Sequence, residues 1–153
     1  MPNTYTQLYI HAVFAVKYRA SLIHDDWAGR LRKYIIAIAQ NHGHKVIAIN
    51  NMPDHVHLFV GLNADQSIAD LMRNVKRESS EWINTNRLCQ SRFLWQEGYG
   101  AFSYGRSQID SVAKYVMNQQ EHHQKTSFID EYKKLLTAFE VKFDERYIFK
   151  EPE

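Results

Sequence analysis

Two pairs of residues in this chain have types and spacings that could do chemistry. The first is His55 and His57, in the run Met52-Pro53-Asp54-His55-Val56-His57-Leu58-Phe59-Val60. In an extended strand alternate side chains share a face, so the two imidazoles point one way and Val56, Leu58 and Val60 the other. Two imidazoles on one face of a rigid strand form half of a divalent-metal site. The same pair also suits the polar face of a half-buried sheet, and the motif alone leaves both readings open. The second pair is Tyr115 and Gln119, in Tyr115-Val116-Met117-Asn118-Gln119. Four residues apart on a helix, they share one face. A carboxamide oxygen is a hard ligand for Mg²⁺ or Mn²⁺, and a phenolate is a nucleophile that forms covalent intermediates. Two His and one Gln would leave metal positions open for phosphate oxygens and water, beside a tyrosine able to attack a phosphodiester. Taken alone, Tyr115 and Gln119 equally suit a packed helix edge and a solvated amide.

The elements that must position these pairs follow from hydropathy periods. Tyr5 to Val16 is rich in Tyr, Ile, Val and Phe and reads as a strand. It ends in the basic turn Lys17-Tyr18-Arg19. Leu31, Tyr34, Ile35, Ile38 and Ala39 recur at helical spacing after His24-Asp25-Asp26, up to a stop at His42-Gly43. His44 to Asn50 reads as a second strand, and His55 to Leu62 as a third. Ser67 caps a helix whose apolar stripe is Ile68, Leu71, Met72, Val75 and Trp82. Phe93 to Trp95 and Ala101 to Tyr104 flank a Gly-containing turn, as a hairpin or a kinked fourth strand. Helices are expected over 107–120 and 125–139. This order predicts an α+β, ferredoxin-like split βαβ fold (βαββαβ): an antiparallel sheet with two helices on one face. The histidines then face the other side, where a helix after the fourth strand could act as a lid and bring further ligands.

Composition bounds the class. The chain has 153 residues, 44% hydrophobic and 24% charged, which suits a single globular, soluble domain over 1–153, with a core over about 4–105 and a tail over 125–153. A net charge of +2 permits a polyanionic partner without requiring one. Cys89 is the only cysteine, which excludes an intrachain disulfide and a thiol-based zinc site. No apolar run has membrane-spanning length and no signal peptide is visible, so a cytoplasmic protein is expected.

In this order, the His-hydrophobic-His and Tyr-x-x-x-Gln pairs resemble the single-tyrosine HUH transposases of the smallest bacterial insertion sequences, the IS200-like family, and their REP-associated relatives. The resemblance spans nearly the whole chain. It also rests on Val13-Phe14-Ala15-Val16-Lys17-Tyr18-Arg19, on Val75 to Asn84, on Trp95-Gln96-Glu97-Gly98-Tyr99 and on Phe102-Ser103. Val16 stands where a small hydroxyl residue is usual, and His11 where an apolar residue is common. The resemblance implies a transposase that cleaves and rejoins single-stranded DNA. Tyr115 would be the nucleophile, on a catalytic helix over 107–120, forming a 5′-phosphotyrosine link and releasing a 3′-hydroxyl. His55, His57 and Gln119 would hold one Mg²⁺ or Mn²⁺ per site. It further implies recognition of hairpins near an element's ends, a homodimer with each tyrosine helix completing its partner's site, and no nucleotide cofactor or membrane.

Lys17, Arg19, Arg73, Lys76 and Arg77 are the basic candidates for DNA phosphates, though any one of them also suits a solvated face. Tyr99, Phe102 and Tyr104 could stack bases or pack a core. His122 and His123 point about 100° apart on a helix and do not easily share an ion. Two other readings compete. One is a domesticated REP-associated HUH nuclease. The other is a non-catalytic ferredoxin-like nucleic-acid-binding module, which predicts binding that survives chelation and loss of Tyr115.

Overall fold

A computed structural model describes residues 4–122 and 127–144. Four strands form one antiparallel sheet: β1 (Tyr9–Ala15), β2 (Lys45–Met52), β3 (His55–Gly61) and β4 (Gly100–Tyr104), in the order β2-β3-β1-β4. With α1 (Asp25–Asn41) between β1 and β2, and α2 (Ile68–Thr85) between β3 and β4, this is the split βαβ plan expected from the sequence. Three shorter helices follow: α3 (Ile109–Met117), α4 (Gln119–His122) and α5 (Phe128–Ala138).

Successive side chains of β1 and β3 point to opposite faces of the sheet, and both faces are buried. Ile10, Ala12, Phe14, Val56, Leu58 and Val60 pack against α1 and α2 in the main core, with Leu31, Ile35, Leu71 and Val75. Helix α2 begins at a reciprocal cap: Ser67 Oγ accepts from Asp70 N at 2.9 Å, and the Asp70 carboxylate accepts from Ser67 N at 3.1 Å. On its half-buried flank Trp82 stacks on Tyr34, centroids 5.1 Å apart. The opposite sheet face carries His11, Val13, Ala15, His55, His57, Phe59 and Phe102. It is covered by Val112 and Val116 of α3 and by Phe128, Tyr132 and Leu136 of α5. Because both faces are covered, every residue of β3 from His55 to Val60 is buried, histidines included.

Three boundaries differ from the sequence expectation. The first strand begins at Tyr9 rather than Tyr5, and Tyr5 is 90% exposed. The segment around Phe93 and Trp95 is neither a hairpin arm nor part of β4. Asn84 clamps Phe93 through both its N–H (2.7 Å) and its C=O (3.0 Å), and Trp95 Nε1 donates to the buried Ser79 Oγ at 2.9 Å. The Asn84 bonds satisfy the backbone groups of Phe93, and the segment pairs only briefly with the end of β1, through Lys17 N to Leu94 O (3.0 Å), Gln96 N to Ala15 O (2.8 Å) and the isolated bridge Val16 to Trp95. The helix expected over 107–120 breaks at Asn118 into α3 and α4, after a 3₁₀ turn at Arg106–Gln108. The expected start of the last helix at Lys125 lies outside the described residues. Within them α5 starts at Phe128, with Ser127 Oγ accepting from Asp130 N.

Candidate active site

The antiparallel register brings the histidines together. His57 lies opposite Val13 on β1, so His11, two residues away on the same face, reaches it diagonally. His11 Nε2 and His57 Nδ1 are 2.8 Å apart, with the rings stacked 5.0 Å centre to centre. At the start of β3, His55 Nδ1 hydrogen-bonds Asp54 Oδ1 at 2.7 Å, and Asp54 Oδ2 lies 4.0 Å from Arg19 Nε. Each histidine is therefore held at Nδ1 and turned so that its Nε2 faces one carboxylate. Glu131 Oε1 lies 3.2 Å from His57 Nε2 and 3.9 Å from His55 Nε2. Orienting partners of this kind set the tautomer and aim of metal-binding imidazoles.

Glu131 comes from α5, and its other oxygen, Oε2, accepts a hydrogen bond from Tyr115 Oη. Phe128, one turn earlier, stacks on His55 with centroids 3.8 Å apart and planes 10° from parallel. Helix α3 brings the phenol in. Val112 and Val116 seat it on Phe59 and Ala48, and the Tyr115 ring meets His57 edge-on at 5.9 Å. Its C-terminal end is clasped to β2: Asn50 Nδ2 donates to Met117 O and to Gln120 Oε1, both at 3.0 Å, and Gln120 Nε2 donates to Asn51 O at 3.2 Å. Gln119 is fully buried. Its Nε2 donates to Tyr115 O at 3.1 Å, and its Oε1 has no hydrogen-bond partner among the described residues.

The electrostatics follow from burial. Desolvation, reinforced by repulsion from His57, pushes His11 down to about 3, so it is neutral. Burial would raise Asp54, but its hydrogen bond to His55 and the charges of His55 and Arg19 outweigh that and hold it below the usual range. Burial and then the Glu131 charge push the Tyr115 phenol well up, with the Gln119 amide opposing them. Tyr115 is thus a protonated phenol at neutral pH. Its ring is only partly buried and lines an open cleft of about 300 Å³ with Tyr104, Gln108, Ser111, Val112 and Leu135.

Of the residues singled out from sequence, His55, His57, Tyr115 and Gln119 lie at this one place, within a single chain. The basic candidates do not cluster. Arg19 supports Asp54 and packs 5.9 Å over the Phe128 ring, and exposed Lys17 lies beside it in sequence, its Nζ 5.5 Å from the Tyr18 ring. Arg73 and Arg77 are exposed on α2, across the sheet from the histidines, bonded to Asp70 and Asn74. Lys76 donates to Gln96 O (2.9 Å) and Gly98 O (2.5 Å), closing the loop before β4, and burial lowers it to about 8. Phe102 is buried and Tyr104 half-buried, while Tyr99 is exposed beneath Lys76. The side chains of His122 and His123 lie outside the described residues.

Sequence reading did not pick out Glu131, Asp54 or Phe128, and left His11 without a role. His11 did carry a signal, as a polar residue on an apolar strand. So did Glu131: it stands three residues after Phe128 and four before Leu135, in line with the apolar stripe of its helix.

The sequence and the fold also match known proteins. Residues 4–119 match the family model described as Transposase IS200 like. The ISDra2 transposase TnpA of Deinococcus radiodurans is 28% identical over 120 residues, 75% of this chain and 86% of that protein. Two solved structures share the fold. A crystal structure at 1.90 Å of a candidate transposase from Deinococcus radiodurans R1 aligns with a TM-score of 0.62 at 24% identity, over 76% of this chain and 94% of that one. A REP-associated tyrosine transposase bound to a REP hairpin aligns with a TM-score of 0.61 at 16% identity, over 79% and 72%. With the family model covering most of its length, this chain belongs to the IS200-like transposase family.

Proposed function

We propose that this transposase is a metal-dependent, single-tyrosine enzyme that cleaves and rejoins single-stranded DNA through a covalent 5′-phosphotyrosine link. The observation that carries the reading is Tyr115 Oη sharing the Glu131 carboxylate with the two imidazoles of β3. The donor set fits a divalent ion. The ligand atoms of His55, His57 and Glu131 lie within 4.8 Å of one another, and the buried Gln119 Oε1 lacks a hydrogen-bond partner among the described residues. His55 and His57, with Gln119 or Glu131, would hold one Mg²⁺ or Mn²⁺. When bound, such an ion supplies charge to polarise a phosphate oxygen. The chain's own residues do the rest. Asp54 and His11 hold the imidazoles in register, and the Asn50–Gln120 clasp holds the tyrosine helix. The cleft beside the Tyr115 ring is the open approach to the phenol.

Hairpin recognition near the ends of an insertion sequence is part of this proposal. It is supported by the shared fold with the hairpin-bound relative. Exposed Lys17, just past the end of β1, is the basic residue best placed to meet the strand entering the site, with Arg19, turned to Asp54, behind it. Arg73, Lys76 and Arg77 would serve only a duplex wrapping onto α2. The proximity of Tyr115 and His57 in one chain supports a site assembled in cis; the alternative, which the family resemblance implies, is a homodimer exchanging tyrosine helices.

A covalent-adduct assay tests the mechanism. Labelled single strands from the flanks of the chain's own gene, incubated with protein and Mn²⁺, should give a shifted band on a denaturing gel. The band should vanish with chelator, with Tyr115→Phe and with His57→Ala, while hairpin binding persists in the variants. Hairpin binding with no adduct on either strand would favour the non-catalytic module. Mixing Tyr115→Phe with His57→Ala subunits should leave activity absent if assembly is in cis; rescue in a verified mixed dimer would establish exchange.

A further inference from the structure

We infer that Glu131 is the proton acceptor for the Tyr115 nucleophile, which makes α5 a catalytic element rather than an appendage. This deepens the proposed reaction and rests on it. The geometry divides the carboxylate between two tasks. Oε1 is turned to His57 and His55, at 3.2 and 3.9 Å, and Oε2 accepts directly from the phenol. Glu131 is 2% exposed, so water does not compete for the bond. Its position is set from three sides. Ser127 caps its helix, Phe128 is stacked on His55, and Tyr132 packs against Gly100, where an added Cβ would come within 2.6 Å of the Tyr132 ring. An acid on an otherwise apolar helix stripe is costly to bury without a partner. Its two oxygens meet the two chemically active pairs of the site.

The step balances as follows. A P–O bond forms from Tyr115 Oη to the scissile phosphorus while the P–O3′ bond breaks. The phenolic proton passes to Glu131 Oε2, and the departing 3′-oxygen takes a proton from water in the cleft. In rejoining, the 3′-hydroxyl gives its proton back to hydroxide in the cleft as it attacks, and Glu131 returns its proton to the leaving phenolate. The same carboxylate serves as base in cleavage and acid in ligation, as reversibility requires.

The test compares adduct formation on a labelled single strand carrying the hairpin and its flanks, at saturating Mn²⁺, for the wild type and Glu131→Gln. Each is made with tyrosine and with the more acidic 3,5-difluorotyrosine at position 115. Expected is a slowing of about 10²–10³-fold in Glu131→Gln, with hairpin binding unchanged, and a clearly smaller gap when the nucleophile is difluorotyrosine. Should Glu131→Gln fail to fold, Glu131→Asp, which draws the carboxylate back by one methylene, serves in the same comparison. Adduct formation that is unchanged or faster in the variant overturns the inference and makes Glu131 dispensable or an obstruction. A slowing that difluorotyrosine does not narrow also overturns it, leaving Glu131 a ligand or a packing residue. Absence of an adduct in the wild type itself would instead bring down the phosphotyrosine reading on which this one stands.

Discussion

His11 shows how one side chain can decide what another does. Its Nε2 lies 2.8 Å from His57 Nδ1, so the orientation and tautomer of a candidate ligand depend on a residue that touches no substrate. Its ring is fully buried and neutral. Replacing it by leucine keeps the site apolar but leaves His57 Nδ1 without its partner, a loss of about 1–3 kcal/mol in stability. The larger effect belongs to the metal. Orienting partners of metal-bound histidines are worth about 10–100-fold in affinity, so His11→Leu should weaken Mn²⁺ binding by that factor in a calorimetric titration. An unchanged affinity would reduce His11 to packing. Asp54 stands in the same relation to His55, supported in turn by Arg19.

Helix α5 is the element on which the site closes. Phe128, Tyr132 and Leu136 seat it against Val13, Ala15 and Phe102, and Glu131 lies between the first two of these anchors. Backbone comes close to this helix at Gly100, beneath the Tyr132 ring. Gly100→Ala puts a methyl group within 2.6–2.7 Å of Tyr132 ring and hydroxyl atoms, so the helix must shift outward, at a cost typical of overpacking, about 1–3 kcal/mol. Chemical denaturation should register that loss. Because Glu131 is the residue next to Tyr132, adduct formation should fall with it, while hairpin binding should hold. Helix α3 is secured differently, by polar bonds from Asn50 and Gln120 at its C-terminal end and two valines along its face.

At the scale of the whole molecule, the open end of the α1–β2 corner carries a pH dependence separate from the active site. Buried His44 accepts from Asn63 N at 2.9 Å through Nδ1 and bonds Gln66 Oε1 at 3.1 Å through Nε2, which requires the neutral ring. Burial lowers its pKa, against the Gln66 bond, which raises it. In the unfolded chain His44 takes up a proton near pH 6.5, while the folded chain resists until lower pH. Below about pH 6.5 the unfolded state therefore binds more protons, and stability falls as pH drops. Urea midpoints should decrease from pH 7.5 to 5.5, and the decrease should be smaller in His44→Gln. An identical decrease in the variant would place the sensitivity elsewhere.

The sequence by itself determined the fold class, and it put each pair of the candidate site on one face of its element. Alternation along β1 and β3, the 3.6-residue stripe of α2 and the Ser67 cap are local properties, set by side-chain sterics and burial within one element. His55 with His57, and Tyr115 with Gln119, are pairs within single elements, so spacing alone puts each on one face. What only the tertiary structure decided is everything that crosses elements. Glu131 reaches His57 from 74 residues away, His11 does so from 46, and neither separation has a period to detect. The extent of β4 was also decided there, because Asn84 of α2 takes both backbone bonding groups of Phe93. A hydropathy pattern records which face is buried; which polar group meets it there depends on register and helix docking, and these are settled only when the sheet has formed and α5 closes over it.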